Sequence, residues 1–316
     1  MPAIDTLLAN RLFKKELRLM GNNFSISVAA ADEDFAYQCI DAAVDEIRRI
    51  EKLLTTFDEN SQTNLINANA GIQPVIVDKE VIDIIERSVK ISKLTQGAFD
   101  ITYGSIDKRF WNFDKAMTAL PDKESAKQSV RLINYKNIIS DRIAGTVFLK
   151  EKGMRIGFGG IGKGYAAEKA KLLLKEKGIQ CGVVNASGDL ATWGLLPNGK
   201  QWTIGIADPD NRDDLFSYLE ISDMAVATSG NYEKFVIIDG QKYSHTINPK
   251  TGFPVKGIKS VTIICANAEV ADAFATPVTV MGVKAGLFLI NQLKGIECII
   301  IDDNNNIYTS NNIKIK

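Results

Sequence analysis

The second half of this chain is built mainly of short apolar runs separated by turn residues. Five runs have the length of buried strands: 182–184, 202–206, 235–238, 261–265 and 298–301. Asn-Gly and Asp-Gly pairs lie between some of them and favour tight turns. Helical spacing of apolar residues interrupts the runs twice, at about 162–177 and 270–291. Because helices and strands do not alternate steadily, the pattern favours an α+β fold over a doubly wound parallel sheet.

The first half adds one hairpin and two amphipathic helices. Residues 17–29 alternate in polarity around a Gly-Asn-Asn turn, which is typical of a strand hairpin. Apolar residues recur at helical spacing over 32–54 and again over 79–95. The sequence therefore predicts mixed secondary structure along its whole length.

Composition bounds the class of protein more than its activity. No low-complexity linker or repeat divides the chain, so residues 1–316 are expected to form one domain, with an N-terminal extension at 1–16 and a polar tail at 303–316. A hydrophobic content of 45% with 24% charged residues is typical of a soluble globular protein. The 38 Lys and Arg residues balance 38 Asp and Glu residues. Because no bulk positive charge results, we expect no nucleic-acid partner.

The cysteines and the amino terminus indicate a reducing compartment. The four cysteines, at 39, 181, 265 and 298, form no Cys-x-x-Cys pair, which favours buried thiols over disulfides or a zinc site. The first residues lack the apolar core of a signal peptide, and no run is expected to span a membrane. We therefore expect a cytoplasmic protein, or a periplasmic or membrane-anchored one if a signal peptide has been removed.

A glycine-rich segment over 155–165 reads RIGFGGIGKGY. It fits the dinucleotide pattern Gly-x-Gly-x-x-Gly, but no ribose-binding carboxylate follows about twenty residues later. It also approaches a Walker A loop, except that Gly164 occupies the Ser/Thr position needed for magnesium. Both motifs share small residues that let the backbone approach an anion at a helix start, and Lys163 adds a positive charge there. A tight strand–helix turn with no ligand is the alternative interpretation.

His245 is the single histidine of the chain and stands in the segment YSHTINPKTGFP. The turn residues that follow it place it at the end of a strand, where a scaffold tends to present reactive side chains. A histidine can take a proton from a hydroxyl near neutral pH. The alternative is a turn-stabilising or partly buried histidine.

Asp272 and Thr276 are four residues apart on the last predicted helix and therefore share one face. One carboxylate beside one hydroxyl on an otherwise apolar helix start is an unusual use of polar groups. Oxygen ligands suit a hard cation such as Mg²⁺, which also binds a substrate phosphate. The alternative is an aspartate that stabilises the helix and a threonine bonded back to the backbone.

Taken in chain order, these segments resemble the FAD:protein FMN transferase (ApbE) family from about residue 18 to residue 290. Each motif alone is moderately specific for the family. Nine motifs in the family's order are highly specific for it. The nine are MGNNFSI at 20–26, TTF at 55–57, GAFDIT at 97–102, FWNF at 110–113, GGIGKGY at 159–165, NASGD at 185–189, TSGNY at 228–232, the His245 segment and ADAFAT at 271–276.

The resemblance implies a site that binds FAD and Mg²⁺. The residues that it places around FAD are Met20, Phe57, Ala98, Phe99, Asp100, Gly159, Tyr165 and Ile247. The metal ligands that it implies are Asp272, Thr276 and the backbone oxygens of Gly162 and Ala275. The implied reaction joins FMN through a phosphoester bond to a Ser or Thr of an acceptor flavoprotein and releases AMP. His245 is our candidate for proton transfer, and Lys163 for electrostatic assistance.

Three positions depart from the family pattern. Gly157 and Asn248 each replace an aspartate, and Phe57 replaces a tyrosine while keeping an aromatic face. Because two carboxylates are lost near the expected site, loop geometry or metal affinity is expected to differ. Two other functions stay open: a magnesium-dependent FAD pyrophosphatase, in which water replaces the acceptor hydroxyl, and a non-catalytic FAD-binding carrier or sensor.

Overall fold

The structure is a computed structural model of the chain. It describes residues 10–107, 109, 119–207, 215–230, 235–238 and 241–313. Several sequence predictions fall outside these residues: the FWNF motif at 110–113, the end of the TSGNY motif at 231–232, the Asp-Gly turn at 239–240, and the first nine residues of the extension.

The described strands are numbered in chain order. They are β1 (Arg11–Leu19), β2 (Asn22–Ala30), β3 (Val75–Ile76), β4 (Ile138–Asp141), β5 (Thr146–Leu149), β6 (Gly182–Ala186), β7 (Asp189–Trp193), β8 (Trp202–Ala207), β9 (Leu215–Ile221), β10 (Ala225–Gly230), β11 (Phe235–Ile238), β12 (Gln241–Ser244), β13 (Ile258–Cys265), β14 (Ile296–Asp302) and β15 (Ile307–Thr309).

The α-helices are α1 (Glu33–Leu54), α2 (Gln62–Ala68), α3 (Lys79–Leu94), α4 (Lys123–Ser129), α5 (Gly162–Glu176) and α6 (Ala268–Ile290). Two short 3-10 helices lie at Ile101–Ser105 and Tyr135–Asn137. The predicted helices at 32–54, 79–95, 162–177 and 270–291 are all confirmed, within two residues at each end.

An eight-stranded antiparallel sheet, in the order β1-β2-β6-β7-β10-β13-β14-β15, is the centre of the molecule. The predicted hairpin is longer than 17–29: β1 pairs with β2 over the whole of 11–30. Residues 11–16, which we expected to belong to an extension, therefore form part of the edge strand. Polar side chains alternate along it and face solvent, which protects an edge strand from pairing with other chains.

Helices α1, α5 and α6 cover one face of this sheet. Ile40, Ile47 and Ile50 of α1 are fully buried there, in one hydrophobic core that continues along the described chain from β1 to β14. The hairpin β8–β9 packs on the opposite face through Ile206 and Ile221. Because both faces are covered, β7 is buried at all five of its positions. Helices and antiparallel strands packed in this way make the α+β fold that the sequence predicts.

Helix α6 is more apolar than we expected from the sequence. By length and composition it could cross a membrane, although we expected no such run, and 44% of its apolar window is buried inside the protein. It packs on β10 and β13 and against α5. It also contains Pro277 and a break at Gly282, where φ is 83°. These contacts bury part of its apolar surface within the molecule.

Candidate active site

A cleft of about 640 Å³ opens beside the start of α5 and the middle of α6, a size suited to a nucleotide cofactor. Its described lining contains eight of the candidate site residues: Phe57, Ala98, Phe99, Asp100, Gly159, Ile247 and Thr276, which the resemblance assigns, and His245, our candidate for proton transfer. These residues come from five separate parts of the chain. The fold therefore brings together segments that the sequence could relate only by their order.

The wall of the cleft is largely apolar. Phe57 stands at its mouth with a side chain that is 98% exposed, so its aromatic face is available to a ligand. Ile101, Ile106 and Val280 extend the same apolar surface. Such a surface suits a flat ring system, because apolar contact with a ring does not depend on hydrogen-bond direction.

Tyr103 holds the backbone on both sides of Thr246. Its hydroxyl donates to the carbonyl oxygen of His245 at 3.4 Å and accepts the amide of Ile247 at 3.3 Å. Burial raises the pKa of Tyr103 to about 12, so the phenol stays protonated and keeps its donor. The sequence alone did not identify this tyrosine, although it directly follows the GAFDIT motif. The clamp fixes the turn that presents His245 to the cleft.

The turn after His245 explains one departure from the family pattern. The Asn248 side-chain oxygen accepts the amide of Lys250 at 2.9 Å, and the Asn248 carbonyl accepts the amide of Gly252, also at 2.9 Å. Gly252 has φ 73°, and a Cβ there would lie 1.8 Å from the carbonyl oxygen of Ala126 in α4. An Asn side chain closes this turn as an Asp would, since both offer the same acceptor oxygen.

Asp100 lines the cleft, but its carboxylate is used within the protein. One oxygen accepts the amide and hydroxyl of Thr102 at 2.9 and 2.6 Å, and the other accepts the amide of Tyr135 at 2.8 Å. Burial raises the pKa of Asp100, while these donors oppose the rise. Its clearest contribution is to cap the 3-10 helix that carries Tyr103.

Asp272 lies at the junction of two helices. Helix α5 begins without a side-chain cap of its own, and Oδ2 of Asp272 accepts the amide of Gly164 in its first turn at 2.9 Å. The side chain is almost fully buried, at 6% exposure. Burial, and then repulsion from Asp189, raises the pKa of Asp272 well above its ordinary value. A buried carboxylate beside a second one is a place where added positive charge is stabilising.

Gly164 makes this junction possible. A Cβ on Gly164 would lie 2.2 Å from the carbonyl oxygen of Ala268 and 2.6 Å from the Cβ of Asp272. No side chain fits in that space, so α5 and α6 can approach this closely only with glycine. The residue that excludes a Walker A loop in the sequence is thus required here by helix packing.

Lys163 forms an ion pair with Asp189, the last residue of the NASGD motif. Its ammonium nitrogen lies 2.7 Å from Oδ2 of Asp189, whose side chain is 4% exposed. The structure therefore directs the charge of Lys163 towards a buried carboxylate, and Lys163 is absent from the described lining of the cleft. Asp189 stands in a motif of the sequence, but the motif alone indicates no role for it.

The oxygen donors near Asp272 fit a hard cation. Thr276 lies one helical turn further along α6 and lines the cleft, and a Cβ on Gly160 would lie 3.8 Å from its hydroxyl. The carbonyl of Ala275 already accepts the Thr279 hydroxyl at 3.1 Å. Among the described residues, no group of three His, Cys, Asp or Glu side chains could hold a metal. A site here would thus depend on one carboxylate, a hydroxyl and backbone oxygens, which is the donor chemistry of Mg²⁺.

Tyr165 and Met20 lie apart from the described lining of the cleft. The Tyr165 hydroxyl donates a short hydrogen bond to Glu80, and the Arg87 guanidinium lies 5.5 Å from its ring centre. Arg87 also pairs with Glu269 of α6 at 2.7 Å. This network ties α3 to the first turns of α5 and α6. Met20 approaches that region too, because a Cβ on Gly162 would lie 3.7 Å from its Cε.

Comparison with known proteins identifies the family of this chain. The sequence model of the ApbE family matches residues 20–300. A FAD:protein FMN transferase of Klebsiella pneumoniae (strain 342) is 29% identical over 303 residues, which cover 95% of this chain and 92% of that relative. One from Treponema pallidum (strain Nichols) is 29% identical over 281 residues, covering 83% of this chain and 77% of the relative.

Solved structures show the same architecture. The crystal structure of the ApbE protein from Thermotoga maritima superposes with a TM-score of 0.86 at 29% identity, covering 95% of this chain and 97% of that one. The apo flavinyl transferase ApbE of Pseudomonas stutzeri, at 24% identity and a TM-score of 0.82, covers 95% of this chain and 94% of its own length and supports the fold alone. The resemblance inferred from nine ordered motifs is confirmed: this chain belongs to the ApbE family.

Proposed function

We propose that this chain is a magnesium-dependent FAD:protein FMN transferase, acting on a Ser or Thr of an acceptor flavoprotein. The observation that carries the proposal is the arrangement of Asp272, which caps α5 from α6 beside a cleft lined by Thr276 and His245. The relatives named above supply the substrate class by their names. An open aromatic wall at Phe57 suits the flavin ring.

The chemistry requires one bond to form and one to break. The acceptor hydroxyl oxygen attacks the phosphorus on the FMN side of the pyrophosphate, the bond from that phosphorus to the AMP oxygen breaks, and AMP leaves. His245 accepts the hydroxyl proton as the new phosphoester forms. Tyr103 holds the backbone of the histidine turn during this step. The products are an FMN-modified acceptor, AMP and the proton that His245 has taken up and then releases to solvent.

Four groups of this chain would hold the cation: the Asp272 carboxylate, the Thr276 hydroxyl, and the backbone oxygens of Gly162 and Ala275. Bound Mg²⁺ supplies positive charge that stabilises the leaving phosphate. The first turn of α5 adds its own partial positive charge towards the same place. The ion pair of Lys163 and Asp189 joins this turn to β7.

Incubation of the purified protein with FAD, Mg²⁺ and a candidate acceptor flavoprotein tests the proposal. We expect the acceptor to gain the mass of one FMN and AMP to appear in equal amount. Free FMN with an unmodified acceptor would identify a pyrophosphatase instead. Unchanged FAD that nevertheless binds would identify a carrier or sensor. Either outcome contradicts the transferase proposal for that acceptor, and a panel of acceptors separates a wrong partner from a wrong activity.

A further inference from the structure

A second cavity, of about 370 Å³, opens beside the cleft, and lysines dominate its charged lining. Lys93 comes from the end of α3, Lys136 from the 3-10 helix at Tyr135–Asn137, and Lys250 from the turn after His245. Three segments that are distant in the chain thus each contribute one lysine to the lining of one cavity. We call these three side chains and the cavity that they line the lysine pocket.

The charge of the lysine pocket is not cancelled locally. All three lysines are exposed, and within the described part of the chain none of them is ion-paired to a carboxylate. Among the described lining residues Asp100 is the acidic one, and its two oxygens accept hydrogen bonds from Thr102 and Tyr135. The lysine pocket therefore presents net positive charge, on a chain whose formal net charge is zero.

The lysine pocket adjoins the cleft. Asp100 lines both cavities. Pro249 and Lys250 line the lysine pocket, while His245 and Ile247 of the same turn line the cleft. Tyr103 anchors that turn to the 3-10 helix that follows Asp100. A molecule that places a hydroxyl at His245 therefore lies next to the lysine pocket.

We propose that the lysine pocket docks an acidic segment of the acceptor protein, next to the residue that receives FMN. The proposal rests on the proposed transferase function, because a hydrolase has no protein substrate to dock. A protein acceptor must cover the turn that carries His245, and the surface around that turn is basic. Carboxylates in the acceptor would be attracted to it, which speeds productive encounter and fixes the register of the segment. Each ion pair between an exposed lysine and a carboxylate of the acceptor contributes little binding energy. We therefore expect the effect to require all three lysines together.

The test uses the full-length protein with FAD bound, and fluorescent synthetic peptides as probes. Each peptide carries one threonine flanked by aspartates, by asparagines or by lysines. The Lys93→Gln, Lys136→Gln, Lys250→Gln triple variant is compared with a control triple, Lys177→Gln, Lys284→Gln and Lys294→Gln, which removes the same charge from exposed lysines elsewhere. Anisotropy gives the dissociation constant of each peptide at low and high salt, and calorimetry gives the affinity for FAD.

We expect the aspartate peptide to bind the parent protein about tenfold more tightly than the asparagine peptide at low salt. High salt should remove that preference, because exposed charges are screened. The pocket triple should lose the preference, the control triple should keep it, and both should bind FAD like the parent. Docking and the proposed function are therefore measured separately. The preference for the aspartate peptide reports docking, and FAD turnover by the parent protein reports the proposed function.

Three results would overturn the docking proposal. Equal binding of aspartate and asparagine peptides by the parent would show that the surface does not select acids. The same loss in the control triple would show a bulk charge effect. A fall in FAD affinity confined to the pocket triple would assign the lysine pocket to the phosphates or adenylate of FAD. In contrast, a parent protein that prefers the aspartate peptide but never modifies an acceptor would contradict only the transferase function.

Discussion

At the scale of single residues, Asp272 has one observed role and one proposed role, and such roles usually fall to different side chains. It caps α5 through the Gly164 amide at 2.9 Å, and we propose that it also binds the cation. Burial and repulsion from Asp189 make its charge costly without a counter-charge. A residue that is unfavourable for stability and placed beside a cleft is a functional candidate on physical grounds.

The first prediction orders two substitutions of the proposed metal ligands. Asp272→Asn keeps the shape but removes the charge that holds a dication, so we expect a larger loss of activity than from Thr276→Val, which removes a neutral ligand. Raised Mg²⁺ should partly rescue both variants, and EDTA should abolish turnover of the parent. Flavin transfer measured over a magnesium titration checks this order. Full activity of Asp272→Asn at low magnesium would contradict the metal site.

The second prediction separates proton transfer from positioning. His245→Ala should slow single-turnover transfer by about a hundredfold or more, because it removes the proposed base. Tyr103→Phe keeps the base but loses the hydroxyl that joins His245 to Ile247, so we expect a smaller loss, about tenfold. Rates measured across a pH series check the distinction, since only the parent and Tyr103→Phe retain the base. An unchanged rate for His245→Ala would make the histidine a turn residue.

At the scale of elements, the site depends on how closely α5 approaches α6. Gly164 allows the contact because it has no side chain, and the hydrogen bond from its amide to Asp272 stabilises the contact. The ion pair between Arg87 of α3 and Glu269 of α6, at 2.7 Å, stabilises it further. Tyr165, which the resemblance places at FAD, adds a hydrogen bond from α5 to Glu80 of α3. The first turns of both helices are therefore held before any ligand binds.

The third prediction tests this helix contact. In Gly164→Ala a Cβ would lie 2.2 Å from the carbonyl oxygen of Ala268, so the two helices must separate. Overpacking of this kind costs about 1–3 kcal/mol of stability, and the shift should also move Asp272 and weaken magnesium binding. Gly159→Ala is the matched stability control, because its Cβ meets nothing within 4 Å. Equal unfolding midpoints in urea for the two variants would contradict the packing argument.

At the scale of the whole molecule, the free energy of unfolding is linked to the protonation of Asp272. Its folded-state pKa is raised above the unfolded value, which is near 4, so the folded protein binds this proton more tightly. The associated stability is fully present below the unfolded pKa. It is lost as the pH rises through the raised folded-state pKa, because a buried charge must then form.

The fourth prediction follows from this loss of stability as the pH rises. Without divalent cations, Asp272→Asn should be as stable as the parent at low pH and more stable at neutral pH, because Asn avoids the buried charge. Saturating Mg²⁺ should stabilise the parent at neutral pH, by about 2.7 kcal/mol at a hundredfold excess over its dissociation constant, and leave the variant unchanged. Urea unfolding at several pH values, with EDTA or Mg²⁺, measures both effects. A variant that is less stable than the metal-free parent at neutral pH would contradict the linkage.

The sequence by itself determined the four longest helices, part of the sheet and a minority of the described residues around the cleft. Apolar spacing located α1, α3, α5 and α6, since the periodicity of a helix is local information. Ordered motifs located eight of the residues that line the cleft. The hairpin was predicted too short because polar residues on the edge strand β1 hide its continuation in the sequence.

Only the tertiary structure decided how the polar groups of the site are used. The Asp272–Gly164 cap joins residues 108 apart, and the Tyr103–His245 clamp joins residues 142 apart. No local pattern encodes such pairs, because each depends on the packing of two elements that are distant in the chain. The same reason explains why Lys163 pairs with Asp189, and why Tyr165 contacts Glu80 and lies apart from the cleft lining. A motif states which side chains are present, and the packing of the helices on the sheet decides which partner each one meets.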